Sequence, residues 1–542
     1  MKTQSILVSL AILALPLLTV GQTAKMAQTP VMAGKDIAVV PTESGRVKGY
    51  IHNGTFTFKG IPYAKADRFL APAKPTSWTG VRSSMTYGPV CPMDATTSTN
   101  DEIEFPFHHD WGYTNENCLS LNVWTPEINQ AKKRPVMVWF HGGGFTAGSS
   151  VELPSYDGEN LTKKGDVVVV TVNHRLNVLG FLDLSAYGDK YKNSANAGLM
   201  DLVASLQWVK ANIAQFGGDP DNVTIFGQSG GGGKVTSLMN APSAKGLFHK
   251  AIVQSGSYIT TFAEKDIMQK VSAALLDELK LQPSQVDSLQ TISYERLNAA
   301  SKKALRKVGE SLKAENRPAF GLGWGPVHDG TFLPYQPSEP AALALSKNIP
   351  LLVGSTKTEF GPFSPANRPS DMDIAKASLK QRMGDKTDTY LTAVKRAYPE
   401  TVQPADFVNI DINFRAGAIR QGSQKAAVAG AAPVYMYLFS WASPVNDGLY
   451  KSMHCMEIPF AFDNISRCEE MTGGGKEAHT LADKMSRAWV AFARTGNPNH
   501  KGLPTWPQYN AENGATMIFD NVNQVKNHHD KELLEAALGK SM

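Results

Sequence analysis

Gly227-Gln228-Ser229-Gly230-Gly231 follows directly on the apolar run Val223-Thr224-Ile225-Phe226. A strand that ends on Gly-x-Ser-x-Gly and passes at once into a helix turns sharply at the serine. Small residues on either side keep that turn clear of the neighbouring strand and helix. The hydroxyl is thereby lifted off the sheet at a helix N-terminus, whose free N–H groups favour a developing oxyanion. The chemistry such a turn serves is nucleophilic attack on an acyl carbon. His141-Gly142-Gly143-Gly144-Phe145 comes straight after a second apolar run, Val136-Met137-Val138-Trp139-Phe140. Consecutive glycines leave backbone N–H groups unobstructed, and with the amide of Gly230 they make a set of oxyanion donors. Either motif alone is compatible with an ordinary tight turn; the two in this order point to acyl transfer.

A serine hydroxyl is a weak nucleophile and needs a histidine base, itself oriented by a carboxylate. The chain order serine, acid, histidine is one of those known for such a trio. Glu359 fits as the acid, closing the segment that begins Leu351-Leu352-Val353-Gly354. Position alone also allows it to be a surface carboxylate, with Asp329 as the alternative acid. His454 fits as the base, in a loop after Val434-Tyr435-Met436-Tyr437-Leu438-Phe439. His479, His500 and the pair His528-His529 lie in polar surroundings and are weaker candidates. The adjacent His108 and His109 cannot point the same way on a strand and read as surface residues, not metal ligands. Nucleotide binding is prompted by Gly233-Lys234, but a phosphate loop needs glycine where Gln228 stands and Ser or Thr where Val235 stands.

These residues need a scaffold of strand ends. The runs at 136–140, 167–172, 223–226, 251–253 and 351–353 are short, apolar and without strict alternation, as suits strands covered on both faces of a mainly parallel sheet. Between them, residues 196–216 carry Leu199, Leu202, Val203, Leu206, Val209 and Ile213 at helical spacing, stopped by Gly217-Gly218. Residues 478–494 form a second helix, stopped by Gly496 and Pro498. The alternation predicts an α/β sandwich with right-handed crossovers. Residues 266–316 read as helices laid over the sheet as a cap.

The chain has 542 residues, 42% hydrophobic and 19% charged, ordinary for a globular protein. No linker or charge run divides it after the N-terminal segment, so residues 36–542 are expected to form one domain. Residues 1–21 read as an export signal, with Lys2, an apolar stretch and a cut at Gly21/Gln22. The apolar stretch is shorter than the roughly 20 residues of a membrane span, so a periplasmic or secreted protein without stable membrane insertion is expected. Residues 22–35 read as a disordered lead-in. The net charge of +5 is scattered, which argues against a nucleic-acid partner. Four cysteines in an exported chain favour two disulfides, paired by proximity as Cys91–Cys118 and Cys455–Cys468. No metal-ligand spacing accompanies them, and acyl transfer by such a trio requires no metal or organic cofactor. No motif specifies an oligomeric state.

The chain resembles the type-B carboxylesterase family, which includes the cholinesterases, over nearly its whole mature length. The resemblance runs through Phe58-Lys59-Gly60-Ile61-Pro62-Tyr63-Ala64, Glu116-Asn117-Cys118-Leu119-Ser120-Leu121-Asn122-Val123 and residues 141–145. It continues through Asn173-His174-Arg175-Leu176, Phe216-Gly217-Gly218-Asp219-Pro220, the serine turn, Gln254-Ser255-Gly256-Ser257, residues 454–460 and Thr495-Gly496-Asn497-Pro498. It implies the α/β-hydrolase fold, with helical cap insertions, and hydrolysis of small-molecule carboxylic esters through an acyl-enzyme. Ser229 becomes the nucleophile, Glu359 the acid, His454 the base, and Gly143, Gly144 and Gly230 the oxyanion donors. Cys91 and Cys118 match the family's first disulfide, and Arg68–Glu116 and Arg175–Asp201 its structural ion pairs. Gln228 stands where glutamate is frequent, which weakens any case for a cationic substrate. Cys455 stands where glycine is frequent; bridged to Cys468 it would fix the His454 loop, and free it would be a thiol beside the site. Some relatives use the fold as an adhesion ectodomain with members of the trio replaced, whereas all three positions here hold competent residues. Pocket walls are expected from residues 94–113 and 266–316, with Phe105, Phe107, Trp111, Phe320 and Trp324 as candidate aromatics, though core packing explains each equally well.

Overall fold

Strict alternation of side chains along the buried strands divides the apolar residues between two cores. Val136, Val138 and Phe140 join one, while Met137 and Trp139 join the other. Val168, Val170 and Val172 are likewise separated from Val167 and Val169. A strand whose two faces are both apolar must be covered on both sides. The computed structural model, which describes residues 30–94, 101–129, 132–315, 317 and 322–539, arranges these strands as one central sheet. In chain order they are β1 (Tyr50–His52), β2 (Thr55–Pro62), β3 (Ser120–Thr125), β4 (Arg134–Phe140), β5 (Val168–Val172), β6 (Gly218–Gln228), β7 (Lys250–Gln254), β8 (Leu351–Thr356), β9 (Val434–Phe439), β10 (Ala515–Phe519) and β11 (Gln524–Asn527). Their spatial order is 11-10-9-8-7-6-4-5-3-2-1. From β5 to β10 neighbouring strands are parallel; the pairs at both margins are antiparallel. The chain has the α/β-hydrolase fold.

Six helices matter to the site: α1 (Ala197–Asn212), α2 (Gly230–Met239), α3 (Lys265–Leu279), α4 (Tyr294–Ala314), α5 (Asn413–Ala426) and α6 (Lys476–Thr495). The predicted stripe Leu199, Leu202, Val203, Leu206 and Val209 of α1 is buried in the first core, together with Val235, Leu238 and Met239 of α2. Leu481, Met485, Trp489 and Phe492 of α6 fill the second core on the opposite face. The expected cap helices, α3 and α4, pack on each other and share the first core through Val271, Leu275, Leu297 and Val308.

Two expectations for the N-terminus meet different outcomes. The export segment 1–21 and the first part of the lead-in lie outside the described residues. The end of the lead-in is ordered, because Met32 exchanges two backbone hydrogen bonds of 2.9 Å with Ile51 and so lengthens the sheet margin. Within the histidine pairs His109 and His529 are corrected, whereas His108 is exposed as expected. His109 is not a surface residue: it hydrogen-bonds Glu104 at 2.7 Å and stacks on Trp111 with ring centroids 4.4 Å apart. His529 is buried beside the Arg415–Asp530 pair, and burial pushes its imidazole down to about 4.

Candidate active site

Ser229 stands between β6 and α2 with φ 55° and ψ −124°, a conformation that non-glycine residues rarely adopt. The strain is held by its own N–H, which donates to Gln254 O at 2.8 Å, and by its carbonyl, which accepts from Gly233 N at 2.9 Å. The turn tolerates no side chain nearby. A Cβ on Gly231 would lie 1.9 Å from Phe140 O, and one on Gly230 2.2 Å from Gly144 O. Serine turn and glycine loop therefore approach each other backbone to backbone. The loop adopts positive φ at Gly143 (74°) and Gly144 (61°). Their N–H groups donate to no acceptor among the described residues, and Gly230, first residue of α2, has no intrahelical acceptor. The Ser229 hydroxyl is partly exposed and likewise without a hydrogen-bond partner among the described residues.

β8 and β9 are parallel neighbours, so the loops leaving their C-terminal ends meet. Glu359 and His454 come from those two loops. Their backbones are bridged, His454 N donating to Glu359 O at 2.9 Å, and Glu359 itself takes φ 35°. Its Oε2 accepts from His454 Nδ1 in a short hydrogen bond. Its Oε1 accepts from Ser255 Oγ at 2.7 Å and from the Thr356 amide at 2.9 Å. The buried carboxylate thus accepts from three donors at once. Two further carboxyls lie close enough for the Glu359 charge to act on them. Burial, then the Glu359 charge, pushes both Asp411 and Glu457 up to about 8. Near neutral pH neither Asp411 nor Glu457 therefore adds a second negative charge beside the imidazole.

Sequence reasoning missed three neighbours of the imidazole. Gln228 is fully buried, with Nε2 3.4 Å from His454 Nδ1 and 3.3 Å from Nε2. Such near-equidistance puts the amide against the ring, off the axis of either nitrogen lone pair. Phe360 stacks on His454 with centroids 4.0 Å apart, and Phe414 of α5 lies at 5.5 Å. Ser255 anchors the carboxylate. Gln228, Phe360 and Ser255 adjoin or lie within a segment noted in the sequence (Ser229, Glu359, the Gln254–Ser257 run), and that adjacency was their only signal; Phe414 had none. Of the aromatics expected to line the pocket, Phe107 and Trp324 are core residues, Phe105 is 53% exposed, Trp111 packs on His109, and Phe320 lies outside the described residues. The aromatic surface beside His454 is formed by Phe360, Phe414 and Tyr258 instead.

The remaining candidates lie elsewhere. Asp329 accepts from Asn196 Nδ2 and from the Thr331 and Leu333 amides, a turn-forming role. His500 and His528 bond backbone carbonyls. Arg68–Glu116 and Arg175–Asp201 are present as ion pairs, the latter bidentate at 2.8 and 2.7 Å and buried. The expected disulfides are corrected: all four cysteines are free thiols. Cys91 and Cys118 lie side by side, and their mutual hydrogen bond, with burial, pushes the Cys118 thiol well up. The Cys455 thiol turns instead to Gln228, donating to Oε1 at 3.2 Å. Among the described residues no group of three or more His, Cys, Asp and Glu side chains is placed to hold a metal, and no helix is long and apolar enough to cross a membrane.

Residues 36–536 match the model of the carboxylesterase family. The para-nitrobenzyl esterase of Bacillus subtilis is 36% identical over 501 residues, covering 91% of this chain and 97% of that one. The phenmedipham hydrolase of Pseudarthrobacter oxydans is 32% identical, covering 89% and 94%. Among solved structures, an esterase of Clostridium hathewayi described as hydrolysing aliphatic aromatic polyesters superposes with a TM-score of 0.81 at 38% identity, covering 95% of this chain and all of that one.

Proposed function

This chain belongs to the carboxylesterase family and is a serine hydrolase of carboxylic esters, and from that premise we propose that Ser229, His454 and Glu359 are its catalytic trio. Ser229 Oγ attacks the ester carbonyl while His454 Nε2 takes its proton. The tetrahedral oxyanion receives the N–H groups of Gly143, Gly144 and Gly230, for which no other acceptor stands among the described residues. Collapse expels the alcohol with the proton from His454; water then attacks the acyl-enzyme by the reverse path. One observation carries this reading above the others. Glu359 holds His454 Nδ1 with one oxygen while two further donors saturate the other. That arrangement fixes the tautomer in which Nε2 is the free base. A fluorophosphonate probe is expected to label a single peptide, the one containing Ser229, and Ser229→Ala to lose both label and turnover; label on another serine refutes the assignment.

The substrates we propose are esters with an aromatic group next to the scissile bond. Phe360 is 51% exposed and Tyr258 36% exposed, so the aromatic surface at His454 is open for a flat ring to stack on. The names of the relatives above, para-nitrobenzyl esterase and aliphatic aromatic polyester hydrolase, support the same class. Export, proposed from residues 1–21, is tested by N-terminal sequencing of the mature protein.

A further inference from the structure

Three glycines in a row lack the stiffness to hold an oxyanion donor in place, since glycine has the largest backbone freedom to lose. Something must fix residues 142–144. Lys234, one turn into α2, is fully buried and extends its ammonium beneath the loop. Nζ donates to His141 O at 2.8 Å and to Gly142 O at 3.3 Å. Among the described residues no ion pair satisfies it; burial pushes it down to about 7, partly offset by the Glu152 carboxyl, which burial in turn pushes up to about 7. His141 and His174, the other titratable groups near this amine, are held well below their ordinary range by burial and by Lys234. A lysine this expensive to bury has a structural consequence at the site. In a trans peptide the C=O and the following N–H point in opposite directions, and no cis peptide occurs among the described residues. Gly142 O is held by Lys234 Nζ and also by the ring Nδ1 of His141, 3.0 Å away, so the Gly143 N–H is turned to the side opposite Lys234.

We infer that Lys234 is a positioning residue of this esterase: it grips the back of the Gly142–Gly143 peptide so that the Gly143 N–H stays aimed at the oxyanion. The inference rests on the assignment of Gly143 as a donor under the proposed function. Because Lys234 lies on the helix that starts beside Ser229, donor and nucleophile share one rigid frame, and a 1 Å loss of register between them is costly. An amine bonded to the carbonyl also polarises the peptide and strengthens the N–H on its other side.

Lys234→Met keeps the volume and removes the donor. Deleting an oxyanion donor outright costs about 100- to 1,000-fold in kcat, so a loosened one is expected to cost about 10- to 100-fold, with KM for p-nitrophenyl butyrate within about 3-fold. Rates are to be expressed per Ser229 titrated with fluorophosphonate, which removes any misfolded fraction. Methylamine is expected to restore kcat to Lys234→Ala, and tetramethylammonium, a cation without donors, is not. A wild-type kcat per titrated site overturns the inference, as does equal rescue by both cations. Should the methionine variant not fold, Lys234→Gln, with one donor at shorter reach, is expected to lose kcat in the same sense and is judged by the same value. Failure of the wild-type protein to label at Ser229 would strike the underlying assignment instead, and the two failures are thereby distinguished.

Discussion

Replacing Glu359 by glutamine changes one heavy atom of a buried carboxylate. The carboxylate accepts from three donors: His454 Nδ1, Ser255 Oγ and the Thr356 amide. Glutamine supplies one oxygen and one NH2 group. If the oxygen stays on Ser255 and Thr356, the NH2 faces His454 and forces Nδ1 to become an acceptor. The ring proton then sits on Nε2, where it cannot take the proton of Ser229. The lost charge acts separately on the imidazolium formed during attack. Two unit charges about 4 Å apart at an effective dielectric of about 20 attract by about 4 kcal/mol, or roughly 1,000-fold in rate. With the tautomer cost added, kcat on p-nitrophenyl butyrate is expected to fall by about 1,000- to 10,000-fold, in line with other triad carboxylates changed to amides. KM should move little. The fold is expected to survive, because the swap is isosteric and removes a like charge from Asp411 and Glu457, whose raised positions owe part of their cause to Glu359. A folded Glu359→Gln protein retaining more than a tenth of wild-type kcat would refute the reasoning.

Two further outcomes are expected. Glu457 is raised from 4.5 to about 8 by burial and by Glu359, so between those values the folded protein binds a proton that the unfolded chain does not. Its contribution to stability is full below about 4.5 and is lost as pH rises through about 8. Thermal unfolding of Glu457→Gln should accordingly match wild type at pH 5 and exceed it at pH 9; a constant difference across that range contradicts the buried-acid account. Phe360→Ala removes the ring stacked on His454. It is expected to raise KM for benzoate and naphthyl esters by about 5-fold, from roughly 1 kcal/mol of stacking, while leaving acetate esters within about 2-fold; equal effects on both would place the substrate ring elsewhere.

Much of this protein was legible because its signals are local. The serine turn, the glycine loop and the apolar runs are each written in a few consecutive residues, and steric necessity does the rest: Gly231 has 1.9 Å of room where a Cβ would go. The stripe of α1 and the Gly217 stop follow from helical geometry, and the stop takes φ 74° as a helix terminus requires. His109 and His529 were misjudged because polar neighbours in sequence say nothing about what packs over a side chain. The disulfide between Cys455 and Cys468 was expected from parity and proximity, yet the thiol direction at Cys455 is set by Gln228, more than two hundred residues away in sequence.

Order along the chain thus determined which residues could be nucleophile, acid and base, since each must follow the end of a strand in a parallel sheet. It left Glu359 and Asp329 as alternatives. Only the adjacency of β8 and β9 brings the first of these against His454, while Asp329 is committed to Asn196 and its own turn. The same holds for Lys234, which the sequence presents as a failed phosphate loop and the fold places behind the glycine peptides. Strand pairing and helix packing join segments by register and shape, and those are properties of the whole buried surface, so no single stretch of residues encodes them.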